Sequence, residues 1–118
     1  MKAAVVTQRA EFTDYLDIRT MKPLPCTSDL LALAPRVVWF ESPRKALSDP
    51  IRFLAYLMTY GTLEDIAVVR RYLDLEDFRE ALGQAPPGII DPRSWAYWNT
   101  VTGRYPVPPM PRRVIPDR

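Results

Sequence analysis

Proline decides where this chain can be helical. Its thirteen prolines fall into three groups, and five of them crowd the stretch from 104 to 118 (Pro106, Pro108, Pro109, Pro111 and Pro116). There the missing N–H groups and fixed φ favour extended polyproline geometry and exclude helix. Three more follow a residue that can cap, at Ser42-Pro43, Asp49-Pro50 and Asp91-Pro92. A proline in that place is pre-set for the first helical turn, and the preceding side chain can accept from an orphan amide. These three pairs mark helix starts. The remaining prolines, Pro23, Pro25, Pro35 and the pair Pro86-Pro87, are expected to interrupt regular structure.

Between these marks the chain reads as a series of helices. Ile51 to Tyr60 runs without a breaker, and its apolar stripes (Ile51, Leu54, Ala55 and Met58; Phe53, Leu57 and Tyr60) leave only Arg52 strongly polar, so this helix should be central. Gly61 can close it in a left-handed conformation. Thr62 then caps a helix over Leu63 to Leu73, with Asp65 at the capping-box position and Leu63, Ile66, Ala67, Val69 and Leu73 facing inward. Asp74 caps a third, Leu75 to Gly83, with Leu75, Phe78 and Leu82 inside and Glu76, Asp77, Arg79 and Glu80 outside. Ala85 to Gly88 is a loop, and Asp91-Pro92 opens a helix carrying Trp95 and Trp98 that Gly103 closes. Ser42-Pro43 starts a short helix through Leu47, and Arg36 to Phe40 reads as a strand or an extended strap. The expected fold is therefore all-α, a small bundle of about five short helices, with Leu54, Leu57, Ile66, Phe78, Leu82 and Trp98 almost fully buried.

Charge and aromatic content divide the chain. Residues 1 to 35 carry four basic and four acidic groups, 36 to 103 carry eight and nine, and 104 to 118 carry four and one, so the formal excess of +2 comes from the tail. Ten of the thirteen aromatics lie between Trp39 and Trp98, and aromatics bury the most area per side chain. The expected organisation is an N-terminal segment 1–35, a helical core 36–103 and a basic, proline-rich tail 104–118. Within the first segment only Phe12, Tyr15 and Leu16 have helical spacing, and Thr27 or Ser28 can cap a turn through Ala34.

Most chemistries find no support. Histidine is absent, which removes the usual general base, and the single Cys26 can close no internal bridge and has no histidine partner to activate it. A lone thiol suits a reducing compartment, no apolar run approaches the roughly 20 residues needed to span a bilayer, and the short Ala3 to Val6 patch is unlike a secretory signal; a cytoplasmic location and no membrane partner are expected. Of the nine acidic residues of the core, Asp49, Asp74 and Asp91 fall at N-caps and Glu64, Asp65, Glu76 and Asp77 in first helical turns, where carboxylates satisfy amides and complement the macrodipole. The glycines lie too far apart to cradle a phosphate. No catalytic, cofactor or metal residues are assigned, and no enzymatic activity is expected. The pair of helices joined at Gly61-Thr62 has the outline of a helix-turn-helix, but Glu64 and Asp65 in the first turn of the second helix would be repelled by a duplex. Trp95 and Trp98 share a face suited to core packing, and Tyr97 points elsewhere.

One string of residues is distinctive. Trp39-Phe-Glu-Ser-Pro-Arg-Lys-Ala-Leu47, Asp49 to Asp65, Ala85-Pro-Pro-Gly88 and Arg93-Ser-Trp-Ala-Tyr-Trp98 resemble small bacterial proteins encoded beside abortive-infection (AbiE-type) nucleotidyltransferase toxins, over roughly residues 36 to 105. The resemblance implies an antitoxin or accessory component that acts by protein contact, with the nucleotidyltransferase as the partner. The tail supplies candidate contacts: Arg112 and Arg113 by charge, Tyr105 and Val114 by burial, with Val107, Met110 and Ile115 as further apolar anchors; a disordered end and a structural strap are the alternatives for it. The alternative is a nucleic-acid-binding regulator that uses the tail arginines, although nucleic acid is the less expected partner. A homo-oligomer is compatible with the sequence.

Overall fold

The structure is a computed structural model that describes residues 21–112, and among these residues it is all-helical, with no strand. Its helices are α1 (Ser28–Val37), α2 (Pro43–Leu47), α3 (Pro50–Tyr60), α4 (Leu63–Val69), α5 (Leu75–Gly83) and α6 (Pro92–Val101). Each proline pair expected to start a helix does so: Ser42 accepts from Lys45 N at 3.3 Å, Asp49 from Arg52 N at 3.3 Å and Asp91 from Ser94 N at 2.7 Å. Capping boxes open α4 (Thr62 with Asp65) and α5 (Asp74 with Asp77).

α3 is the hub and touches every other helix. Its Phe53, Leu54, Ala55 and Leu57 are fully buried. Trp98 of α6 stacks on Phe78 of α5 with centroids 5.2 Å apart, and its indole N–H donates to Met58 O at 3.3 Å. That carbonyl stands in the last turn of α3, where helix carbonyls lack an intrahelical partner, so one side chain both fills the core and finishes the hub.

Several expectations are corrected. Arg36 to Phe40 is neither strand nor strap: Arg36 and Val37 end α1, and a turn follows. Pro35 does not interrupt but lies inside α1, because Leu30, Leu33, Ala34 and Val37 form an i, i+3, i+4, i+7 stripe that is wholly buried. Burial of that stripe outweighs the hydrogen bond that proline removes. Met21 and Leu24 are buried as well, and Leu24 N donates to Leu47 O at 3.0 Å, so the packed core extends N-terminal of the expected boundary at residue 36.

The corner after α3 also differs. Gly61 has φ −74° and ψ 149°, an extended conformation open to any residue, so it is not a left-handed cap. Glycine is needed there for space: a Cβ would lie 2.7 Å from both the carbonyl oxygen and Cδ1 of Leu57. The left-handed closure occurs instead at Gly103, after α6, with φ +85°.

α4 stops at Val69, short of the expected Leu73, and its inward face is Asp65 and Val69. Asp65 accepts from Arg36 of α1, and this cross-helix pair turns the 65/69 edge of α4 inward and leaves Leu63 on the far side, exposed. Ala67 is exposed and Ile66 and Leu73 are half-buried for the same reason. Leu75 is also half-buried, whereas Asp77, expected outside, is buried because its carboxylate returns to Asp74 N at 3.0 Å. Leu54, Leu57, Phe78, Leu82 and Trp98 are buried as expected.

Candidate functional site

The turn that ends α1 sorts its side chains sharply. Val38 faces the core at 1% exposure, while Trp39 and Phe40 are 62% and 50% exposed. The turn is too short to fold both rings inward, because Ser42-Pro43 restarts the helix at once. On α3, Tyr56 and Tyr60 lie one turn apart and rise beside them. Trp39 meets Phe40 and Tyr60 edge to face, each at 5.4 Å between centroids, and Phe40 meets Tyr56 at 5.5 Å. The result is an exposed aromatic ridge.

A charged clamp holds its inner edge. The Arg52 guanidinium lies 5.6 Å from the Phe40 centroid and 5.3 Å from that of Tyr56, and donates to Glu41 at 2.7 Å. That bond holds the Glu41 carboxyl below its ordinary range against the opposing effect of burial, so the pair stays ionised and the rings stay in register. Such an arrangement presents fixed apolar area rimmed by tyrosine hydroxyls.

A second feature is a groove of about 490 Å³ between the end of α3, α4, the start of α5 and α6. Leu63, Tyr97 and Val101 stand on it at 82%, 55% and 42% exposure, with the half-buried Ile66 and Leu75 deeper. The charged residues lining it are Arg70 and Arg93.

Of the placements open to the tail, the structure shows the strap. Through residue 112 it is a strap across α6: the Trp95 indole N–H donates to Pro108 O at 2.7 Å, the Arg104 guanidinium lies 5.9 Å from the Trp95 ring centroid, and Val107 and Met110 pack against the core. Two of the expected anchors are thereby used internally. Tyr105 is 77% exposed and Arg112 is exposed, whereas Arg113, Val114 and Ile115 lie outside the described residues, as do Phe12, Tyr15 and Leu16. The structure does not bring Tyr105 and Arg112 into any cluster.

The carboxylates act at helix ends and between helices. Asp29 accepts from Thr27 at 2.6 Å, from Tyr72 at 2.9 Å and from Arg71 at 3.1 Å; these hydrogen bonds, that of Thr27 foremost, hold its carboxyl below the usual range and tie α1 to the loop after α4. Burial pushes the Asp65 carboxyl up, but the Arg36 guanidinium and the Thr62 N–H outweigh it and hold it below the usual range. Among the described residues no group of three or more His, Cys, Asp or Glu is placed to hold a metal ion, and no helix is long and apolar enough to cross a membrane.

Trp39, Phe40 and Tyr60 were not among the residues expected to act. The usable signal was the spacing: two aromatics one residue ahead of a Ser-Pro helix start have no inward-facing frame to occupy. In comparisons with known proteins, no family model matches the chain, and no curated protein or solved structure is similar to it.

Proposed function

We propose that this chain is a protein-interaction module, an antitoxin-like or accessory partner of a nucleotidyltransferase-type toxin, and that it acts by contact without catalysis. The observation that carries the reading is the aromatic ridge, where Trp39, Phe40 and Tyr60 are each at least half exposed and yet Phe40 and Tyr60 both pack edge to face on Trp39. Exposed contiguous apolar surface marks interaction sites, and tryptophan, tyrosine and arginine are the side chains that dominate binding energy at them. Phe40 and Tyr56, already held by the Arg52–Glu41 clamp, lose little further freedom on binding. The choice of a toxin partner rests on the resemblance of the Trp39 to Leu47, Asp49 to Asp65 and Arg93 to Trp98 strings, the first two of which contribute the ridge.

The test is co-purification of the chain with the product of the adjacent reading frame, comparing the natural sequence with Trp39→Ser and Tyr60→Ser. Capture by the natural chain that falls at least tenfold in both variants supports the reading. Equal capture by all three removes the ridge from the mechanism, and an adjacent frame that encodes no nucleotidyltransferase removes the toxin partner. Binding of a generic DNA duplex that weakens steeply with salt would transfer the function to nucleic acid.

A further inference from the structure

We infer that the groove between α4 and α6 docks an acidic, amphipathic helix of a partner protein. This rests on reading the chain as a protein-interaction module, but neither on the toxin as partner nor on the aromatic ridge.

Three observations define the occupant. The groove is lined by exposed aliphatic and aromatic side chains, Leu63, Tyr97 and Val101, with Ile66 and Leu75 beneath them. An amphipathic helix fills such a surface with apolar anchors at i, i+3 or i+4 and i+7. Its charged residues are both arginines, Arg70 at the end of α4 and Arg93 in the first turn of α6, and no carboxylate lines it. Both arginines are exposed, and neither lies within ion-pair distance of a carboxylate among the described residues. Carboxylates flanking the apolar anchors of a bound helix would meet them.

Charge also decides against other occupants. A second copy docked groove to groove across a twofold axis would bring like arginines together, because such an interface places the same patch on both sides. The chain's own tail is basic, and its apolar residues Val107 and Met110 already pack on the core. Nucleic acid could use the arginines, but it offers little to the aliphatic side chains of Leu63, Ile66 and Val101. An acidic apolar helix satisfies both parts of the groove.

The experiment uses the full chain and two fluorescein-labelled helical peptides with the same leucines at i, i+3 and i+7, one flanked by glutamates and the other by lysines. Fluorescence anisotropy should give the acidic peptide about tenfold tighter binding than the basic one, the sum expected of two exposed ion pairs. Arg70→Glu with Arg93→Glu should reverse the preference, and Tyr97→Asp should abolish binding of both. Trp39→Ser, on the ridge, should leave the peptide affinity unchanged, so failure here and failure of the proposed function are separable. Arg70→Gln with Arg93→Gln, which should erase the preference without reversing it, keeps the test valid if the glutamate pair fails to fold. Equal binding of the two peptides, or an unaltered preference in the charge variants, overturns the inference. Sedimentation that reveals a dimer broken by Leu63→Asp would assign the groove to a second copy, and duplex binding lost with the arginines would assign it to nucleic acid; either result also overturns it.

Discussion

The turn after α1 and the strap after α6 are alike in composition and opposite in placement. Each sets aromatic and apolar residues beside proline, Val38, Trp39 and Phe40 ahead of Ser42-Pro43 in one, Tyr105 to Met110 in the other. The turn leaves its rings in solvent and packs them on one another. In the strap, the apolar side chains of Val107 and Met110 return to the core, with Trp95 as the anchor. What separates them is the frame on which each is mounted. The turn is pinned at both ends by helices only a few residues apart, whereas the strap has enough extended chain to fall back across α6. Apolar residues meant for a partner are therefore recognised by what prevents them from folding inward.

The contrast is set against the core, where the largest effect is expected. Leu57→Ala removes a fully buried side chain from the hub and should lower stability by about 2 to 5 kcal/mol in denaturant titration. A loss below about 1 kcal/mol would show that α3 is not the hub. Next in size is truncation at residue 103. Removing a strap that supplies a part-buried hydrogen bond from Trp95, a backbone bond from Arg104 N to Asn99 O and two half-buried apolar side chains should lower stability by about 2 to 3 kcal/mol. An unchanged thermal midpoint would return the tail to the class of free segments and collapse the comparison.

A smaller effect is expected at Arg36. Its partner Asp65 is nearly buried and its carboxyl is depressed, so the stability it contributes is present above the unfolded value of about 3.9 and is lost as pH falls through the lower folded value. Arg36→Gln should lower stability at neutral pH by about 1 kcal/mol, since the guanidinium is largely exposed, and should move the onset of acid unfolding to higher pH. An acid limb that does not move would detach Asp65 from the pair. The smallest effect belongs to the ridge: Trp39→Ser should change stability by less than about 1 kcal/mol, the scale of a solvent-exposed edge-to-face contact. A larger loss would mean that the ridge is part of the core.

The helix starts and the hub were legible because each is signalled locally: Ser42-Pro43, Asp49-Pro50, Thr62 with Asp65, Asp74 with Asp77, and the apolar run from Ile51 to Tyr60. α1 was hidden by Pro35, a residue whose local effect is overridden only when the stripe from Leu30 to Val37 finds a surface to bury against. The inward face of α4 was misjudged because hydropathy favoured Leu63, while the pair between Arg36 and Asp65, 29 positions apart, rotates the helix the other way. Gly61 was read as a dihedral requirement when the constraint is the approach of Leu57. The ridge left only the local signal of two aromatics just ahead of a helix start, and the groove left none, since it is defined by helices that meet far apart in sequence.

The three tryptophans make the molecule report on itself. Trp39 stands in solvent, Trp98 is sealed between Phe78 and the end of α3, and Trp95 is covered through its bond to the strap. Their fluorescence is thus divided by place: a protein seated on the ridge shifts the emission of Trp39 to the blue, a strap that lifts from α6 shifts that of Trp95 to the red, and Trp98, which gives only a small edge to the groove, shifts to the red only when the bundle opens. Emission spectra alone can then tell binding, strap release and unfolding apart, without a label on the chain.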